Sequence, residues 1–139
     1  MKQQNGFSLL EILISVLVLS VGILGMAGLQ VSSLKFNQTA SIRSQATILA
    51  YEITDRMRTN RQAAQSGSYN TALTATTVSG SSRAQLDLNT WKQSLDSLLP
   101  DGRGSVQKTG DTVRIVIQWD ESRLTGGSAT QQLTFETRL

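Results

Sequence analysis

The chain contains no cysteine and no histidine, and it has a single proline among 139 residues. Without cysteine there is no disulfide to staple a small domain and no thiol nucleophile. Without histidine the commonest general base and a frequent metal ligand are gone. A Ser/Lys site or a pair of carboxylates is what remains for catalysis. Asp120 and Glu121 stand side by side and could form such a pair or part of a calcium site. Calcium needs more oxygens than two side chains supply, and adjacent loop acids are ordinarily solvated. No glycine-rich phosphate loop stands at a strand-to-helix junction. The expectation is a protein that is not an enzyme, with no cofactor, no metal and no small-molecule substrate.

Aromatic residues are scarce too, at 5% of the chain, and the basic surplus is small, with a net charge of +3. Lys and Arg are scattered apart from Arg56, Arg58 and Arg61. A single-strand groove combines a basic stripe with stacking aromatics. Neither is present, so no nucleic-acid partner is expected, and the three arginines read as the solvated face of a helix.

What the chain does have is a long apolar run at its N-terminus. Residues 1–6 are a short polar leader with one Lys, ending at Gly6. Phe7 opens an apolar stretch to residue 29 that carries one charge, Glu11. As a helix it would extend about 34 Å, enough for a hydrocarbon core of about 30 Å. Placing a carboxylate in such a segment costs on the order of 3 kcal/mol, so Glu11 calls for a partner. Removing the leader would leave a charged amine on Phe7 beside the partial positive charge of a helix N-terminus. Glu11 lies roughly 6 Å further along the axis at 1.5 Å per residue. A neighbouring subunit displaced along a filament can therefore bring its carboxylate level with this amine, a pairing that is strong where the dielectric is low. Glycines recur at Gly22, Gly25 and Gly28. They would allow close helix contact or local unwinding, or simply reflect the frequency of glycine in membrane helices.

Gly6, Phe7 and Glu11, within the string Phe-Ser-Leu-Leu-Glu, resemble the class III signal of type IV pilins and pseudopilins. The resemblance implies cleavage between Gly6 and Phe7 by a prepilin peptidase, N-methylation of Phe7, and assembly through Glu11. Two other readings remain open: a conventional secretory signal cut before Gly28, and an uncut signal anchor whose Glu11 reaches headgroup water. Lys2 on the inner side orients the C-terminus outward. The resemblance thus implies a single-pass inner-membrane protein with a periplasmic head, later part of a pilus at or near its tip. Many major pilins have a proline where this chain has Gly28, and a C-terminal Cys pair that it lacks.

Residues 30–65 read as a continuation of the helix, with Leu34, Ile42, Ala46, Leu49, Ile53 and Met57 on one stripe. One spine from Phe7 to about Gln65 is expected. Residues 66–83, rich in Ser, Thr, Gly and Ala, suit an exposed connection, with Tyr69, Leu73 and Val78 as its few apolar anchors. A short helix follows from about Leu88 to Leu99, capped by Asp87 or Asn89, with Trp91, Leu95, Leu98 and Leu99 on one side. Pro100 ends it, and Trp91 reads as a core anchor.

The last third reads as an antiparallel meander. Gly110-Asp111 makes a tight turn, and Val113, Ile115, Ile117 and Trp119 alternate with polar neighbours in the next strand. A loop over residues 120–128 has Gly126-Gly127 as its flexible point, and Leu133, Phe135 and Thr137 share one face of a final strand. The fold class expected is α+β: a long helical spine packed on a small antiparallel meander, with residues 66–139 as the head. The helix with Trp91, the Leu99-Pro100-Asp101-Gly102 turn, the strand ending Trp119-Asp120 and the terminal Thr137-Arg138-Leu139 resemble the PilV-type minor pilins, or type IV pilus modification proteins. That resemblance implies other minor pilins and the major pilin as partners. A type II secretion pseudopilin and a tip-exposed adhesion module are the alternatives.

Overall fold

The computed structural model describes residues 8–123 and 127–138. Gly6, Phe7, Gly126 and Leu139, each singled out above, lie outside the described residues. The chain divides into two units, Met1–Asn37 and Gln38–Leu139. A single helix, α1 (Leu9–Thr59), contributes to both.

In the first unit α1 is helical from end to end, through Gly22, Gly25 and Gly28, and a β-carbon on any of these glycines would meet nothing. Ser8 starts it by accepting a hydrogen bond from the Leu10 N–H at 3.3 Å, the usual task of a serine before a first turn. In the second unit α1 buries Ala46, Leu49, Ala50, Ile53, Thr54 and Met57. Their spacing of three and four makes one stripe. Thr54 fits among apolar neighbours because its hydroxyl donates to the Ala50 carbonyl at 2.7 Å, which leaves no orphan donor. Leu34, expected on this stripe, belongs instead to the first unit and is 68% exposed.

The spine does not run unbroken to Gln65. Asn60 leaves helical geometry (φ −119°, ψ 52°), and its side-chain amide donates to the Tyr69 hydroxyl. A short helix, α2 (Arg61–Gln65), follows. Gly67, at φ 81°, ends it as the left-handed residue of a Schellman motif, with Ser68 N–H reaching Ala63 O and Gly67 N–H reaching Ala64 O.

The next helix, α3 (Arg83–Leu98), starts about five residues before the expected position. The cap is Ser82, whose hydroxyl accepts from the Gln85 N–H while the Gln85 side chain accepts from the Ser82 N–H. This reciprocal box satisfies two donors that a helix start leaves free. Asp87 and Asn89, expected as caps, lie inside the helix with other partners. Leu99 is extended (φ −119°, ψ 140°), as the residue before a proline must be. Trp91, Leu95 and Leu99 are buried as expected, but Leu98 is 53% exposed, a helical step off their face.

Three strands follow, β1 (Arg103–Thr109), β2 (Thr112–Trp119) and β3 (Gln131–Arg138), antiparallel in the order β1-β2-β3. Gly110 and Asp111 form the first turn, with Gly110 at φ 60°. A glycine with positive φ at the first central position suits a two-residue hairpin. Val113, Ile115, Ile117 and Trp119 point inward and are buried. Together with the α1 stripe and Leu88, Trp91 and Leu95 of α3 they form one core. The result is the expected α+β arrangement of a long N-terminal helix on a small antiparallel sheet, consistent with a pilin-like fold.

Candidate functional site: an exposed apolar helix and a pinned loop

Every described residue from Ser8 to Leu34 is exposed. Leu9, Leu10, Leu13, Leu17, Leu24 and Leu29 are each at least 59% exposed. Exposing such a side chain rather than burying it costs roughly 1.5–3 kcal/mol. A run of them is tolerable only if lipid or other helices cover it, and the helix is long and apolar enough to cross a bilayer. Glu11 sits in its first turn, where the helix dipole favours a negative charge. Two hydroxyls of the run are satisfied locally. The hydroxyl of Ser15 donates to Glu11 O and that of Ser20 to Val16 O, both at 2.7 Å, as a non-aqueous setting demands.

In the head, the residues that looked like candidate chemistry are committed to structure. Asp120 and Glu121 do not form a pair. The Glu121 carboxylate is buried, accepting from Trp119 Nε1 at 2.8 Å, with Arg43 Nε at 4.0 Å. It is therefore not the solvated loop acid that adjacency suggested. Asp120 accepts from the Ser122 N–H, and that bond holds its carboxyl below the usual carboxylate range. Among the described residues no cluster of three metal-ligating side chains occurs. Arg56 bonds Glu52 and Asp87, and Arg58 bonds Asp55.

Two features had no sequence signal. Asp87 is 3% exposed and gathers Arg56, Arg83 and the Tyr69 hydroxyl, the last at 2.7 Å. Burial, followed by this bond, raises the Tyr69 pKa. Lys92 is buried among carbonyls and donates to Ala72 O, Ala75 O and Gly104 O at 3.1, 2.5 and 3.0 Å. Desolvation lowers its pKa. A lysine with a lowered pKa is a functional candidate in principle, but this ammonium is spent on three backbone acceptors. A charged donor gains about 1.5–3 kcal/mol per such bond, which offsets part of a burial penalty of several kcal/mol and leaves the pKa lowered. Asn89 grips the same segment, accepting from Val78 N–H and donating to Val78 O at 2.7 and 2.8 Å. The Ser/Thr-rich connection is thus fastened to α3 at residues 72, 75 and 78.

Residues 1–27 match a family model described as the prokaryotic N-terminal methylation motif. That match supports a place among type IV pilin-like proteins, and the exposed apolar helix fits the membrane anchoring of such a protein. No curated protein and no solved structure matches the chain.

Proposed function

We propose that this protein is a minor pilin that primes or modifies the assembly of a type IV pilus, with no catalytic turnover of its own. The observation that carries the reading is an apolar helix bare from Ser8 to Leu34 with a carboxylate in its first turn, beneath a methylation motif. In this reading prepilin peptidase cuts between Gly6 and Phe7 and the new amine is methylated. The helix waits in the inner membrane with its head in the periplasm. It then packs beside other minor pilins and the major pilin at or near the fibre tip, where Glu11 sets the axial register by pairing with a neighbour's amine.

The test is the N-terminal sequence and mass of the protein from cells with and without prepilin peptidase. A peptidase-dependent start at methylated Phe7 is expected. A start at Gly28, or an intact Met1 in both strains, would sink the reading. Deletion then separates its branches: loss of pili for a priming subunit, loss of secretion for a type II pseudopilin, and intact but non-adherent fibres for a tip binding module.

A further inference from the structure

Between α3, the connection before it and the turn that leads into β1 lies a cavity of about 440 Å³, wholly within the second unit. Lys92 and Asn89 line it and fix its wall, since they hold the connection by its peptide groups. Other side chains that line it have no such work. Gln93, Asp96, Asp101 and Arg103 make no side-chain hydrogen bond or ion pair among the described residues.

The charges left free here are of both signs, which is not the habit of this unit. Five of its arginines, Arg43, Arg56, Arg58, Arg83 and Arg114, stand within 4.0 Å of a carboxylate. Arg103 does not, although two free carboxylates share its cavity. Asp101 is also the one non-glycine with a positive φ among the described residues, at 49°. Its turn is closed by the Gly102 N–H donating to Leu99 O at 3.1 Å, with Pro100 and Asp101 as the two central residues. At the second of these a glycine or asparagine is the usual choice when φ is positive. A strained position that keeps a carboxylate with no internal partner points to an external one.

We infer that this cavity binds a short peptide of two or three residues as its zwitterion, the N-terminal ammonium held by Asp96 and Asp101 and the C-terminal carboxylate by Arg103. Opposite charges left apart in one cavity match a ligand that carries both, and free chain termini are a recurring handle in peptide recognition. The Gln93 amide offers a donor and an acceptor to a peptide group between the termini. A round cavity of this volume is about 9 Å across, close to three extended residues at about 3.3 Å each. No aromatic side chain lines it among the described residues, so a planar ring has no platform to stack on. The site does not depend on the pilus reading and is testable whether or not that reading holds.

The experiment titrates the isotope-labelled full chain, in detergent micelles, with trialanine and follows its amides by NMR. Exposed charges pair weakly in water, so a millimolar Kd is expected, with saturable shifts at Gln93, Asp96, Asp101 and Arg103. Acetylating the amine of the peptide, or amidating its carboxylate, should each raise Kd at least threefold. Asp101→Asn keeps a residue that tolerates positive φ. It should weaken trialanine at least threefold and leave the affinity of the acetylated peptide unchanged. Arg103→Gln should weaken trialanine as much and leave that of the amidated peptide unchanged. Each variant and each blocked end then report one shared contact. Absence of saturable shifts at tens of millimolar would overturn the inference. So would blocked peptides that bind as well as trialanine, variants that weaken all three peptides alike, or alanine binding as tightly as the tripeptide.

Discussion

The indole of Trp91 occupies the space that a β-carbon on Gly104 would need. Such a carbon would lie 2.5 Å from Leu95 Cδ1 and nearer still to Trp91 Cη2. Trp91 is held from the other side as well, its Nε1 donating to Leu49 O at 2.9 Å. One ring therefore spans α3, α1 and β1, and it reaches β1 only because residue 104 lacks a side chain.

Gly104→Ala should therefore destabilise the head. Forcing a methyl into a filled core costs about 1–3 kcal/mol, which for a head of this size lowers Tm by roughly 4–8 °C per kcal/mol. Thermal unfolding in detergent, followed by near-ultraviolet circular dichroism of the tryptophans, would measure it. An unchanged Tm would show that the sheet can move off the ring.

Tyr69 makes stability depend on alkaline pH. Its folded pKa is raised above the usual 10.0, so the unfolded chain releases this proton first. The contribution is fully present below about pH 10 and lost as pH rises through the folded value. Tyr69→Phe should cost about 2 kcal/mol at neutral pH, the worth of a hydrogen bond to a charged acceptor. The gap between wild type and variant should narrow above pH 10. Lys92, with a lowered pKa, gives a slope of opposite sign between its folded value and 10.5, but it is common to both proteins and cancels. Urea titrations from pH 8 to 11 would show the effect, and a constant gap would contradict it.

Glu11→Ala should separate insertion from assembly. Removing a carboxylate from an apolar run eases insertion by roughly 3 kcal/mol, so the variant should fractionate with membranes as well as wild type. Its amount in sheared surface fibres should fall at least tenfold, measured by immunoblot. Equal incorporation would remove the register role proposed for this residue.

The sheet was legible where local rules suffice. Gly110-Asp111 announces its turn, and Val113 to Trp119 alternate as a half-buried strand should. Trp91 and the Ala46-to-Met57 stripe follow from helical spacing. Residues whose roles depend on which side chains the fold turns toward them were not legible. Asn89 and Asp87 look like helix caps, and only the arrival of Val78, Tyr69, Arg56 and Arg83 gives them other work. Glu121 beside Asp120 reads as a solvated acid until Trp119 turns its indole N–H inward. Leu34 fits the stripe by spacing, yet it lies in the first unit, apart from the head's core. Burial depends on what the rest of the chain brings near, and periodicity does not record that.

Lys92 holds its segment by the carbonyls of Ala72 and Ala75, and Asn89 holds Val78 by its peptide groups. Every residue brings a carbonyl, and every residue but proline an N–H. Side chains between residues 72 and 78 can therefore change, while α3 keeps the path of the chain. Thr71 pairs its backbone with Val106 of β1, and the stretch that follows it is fixed by a lysine and an asparagine elsewhere in the sequence. Drift is thus tolerated at residues 73–77, while Tyr69 and Asn70, earlier in the connection, are held through their own side chains by Asp87 and by the Lys108 N–H of β1.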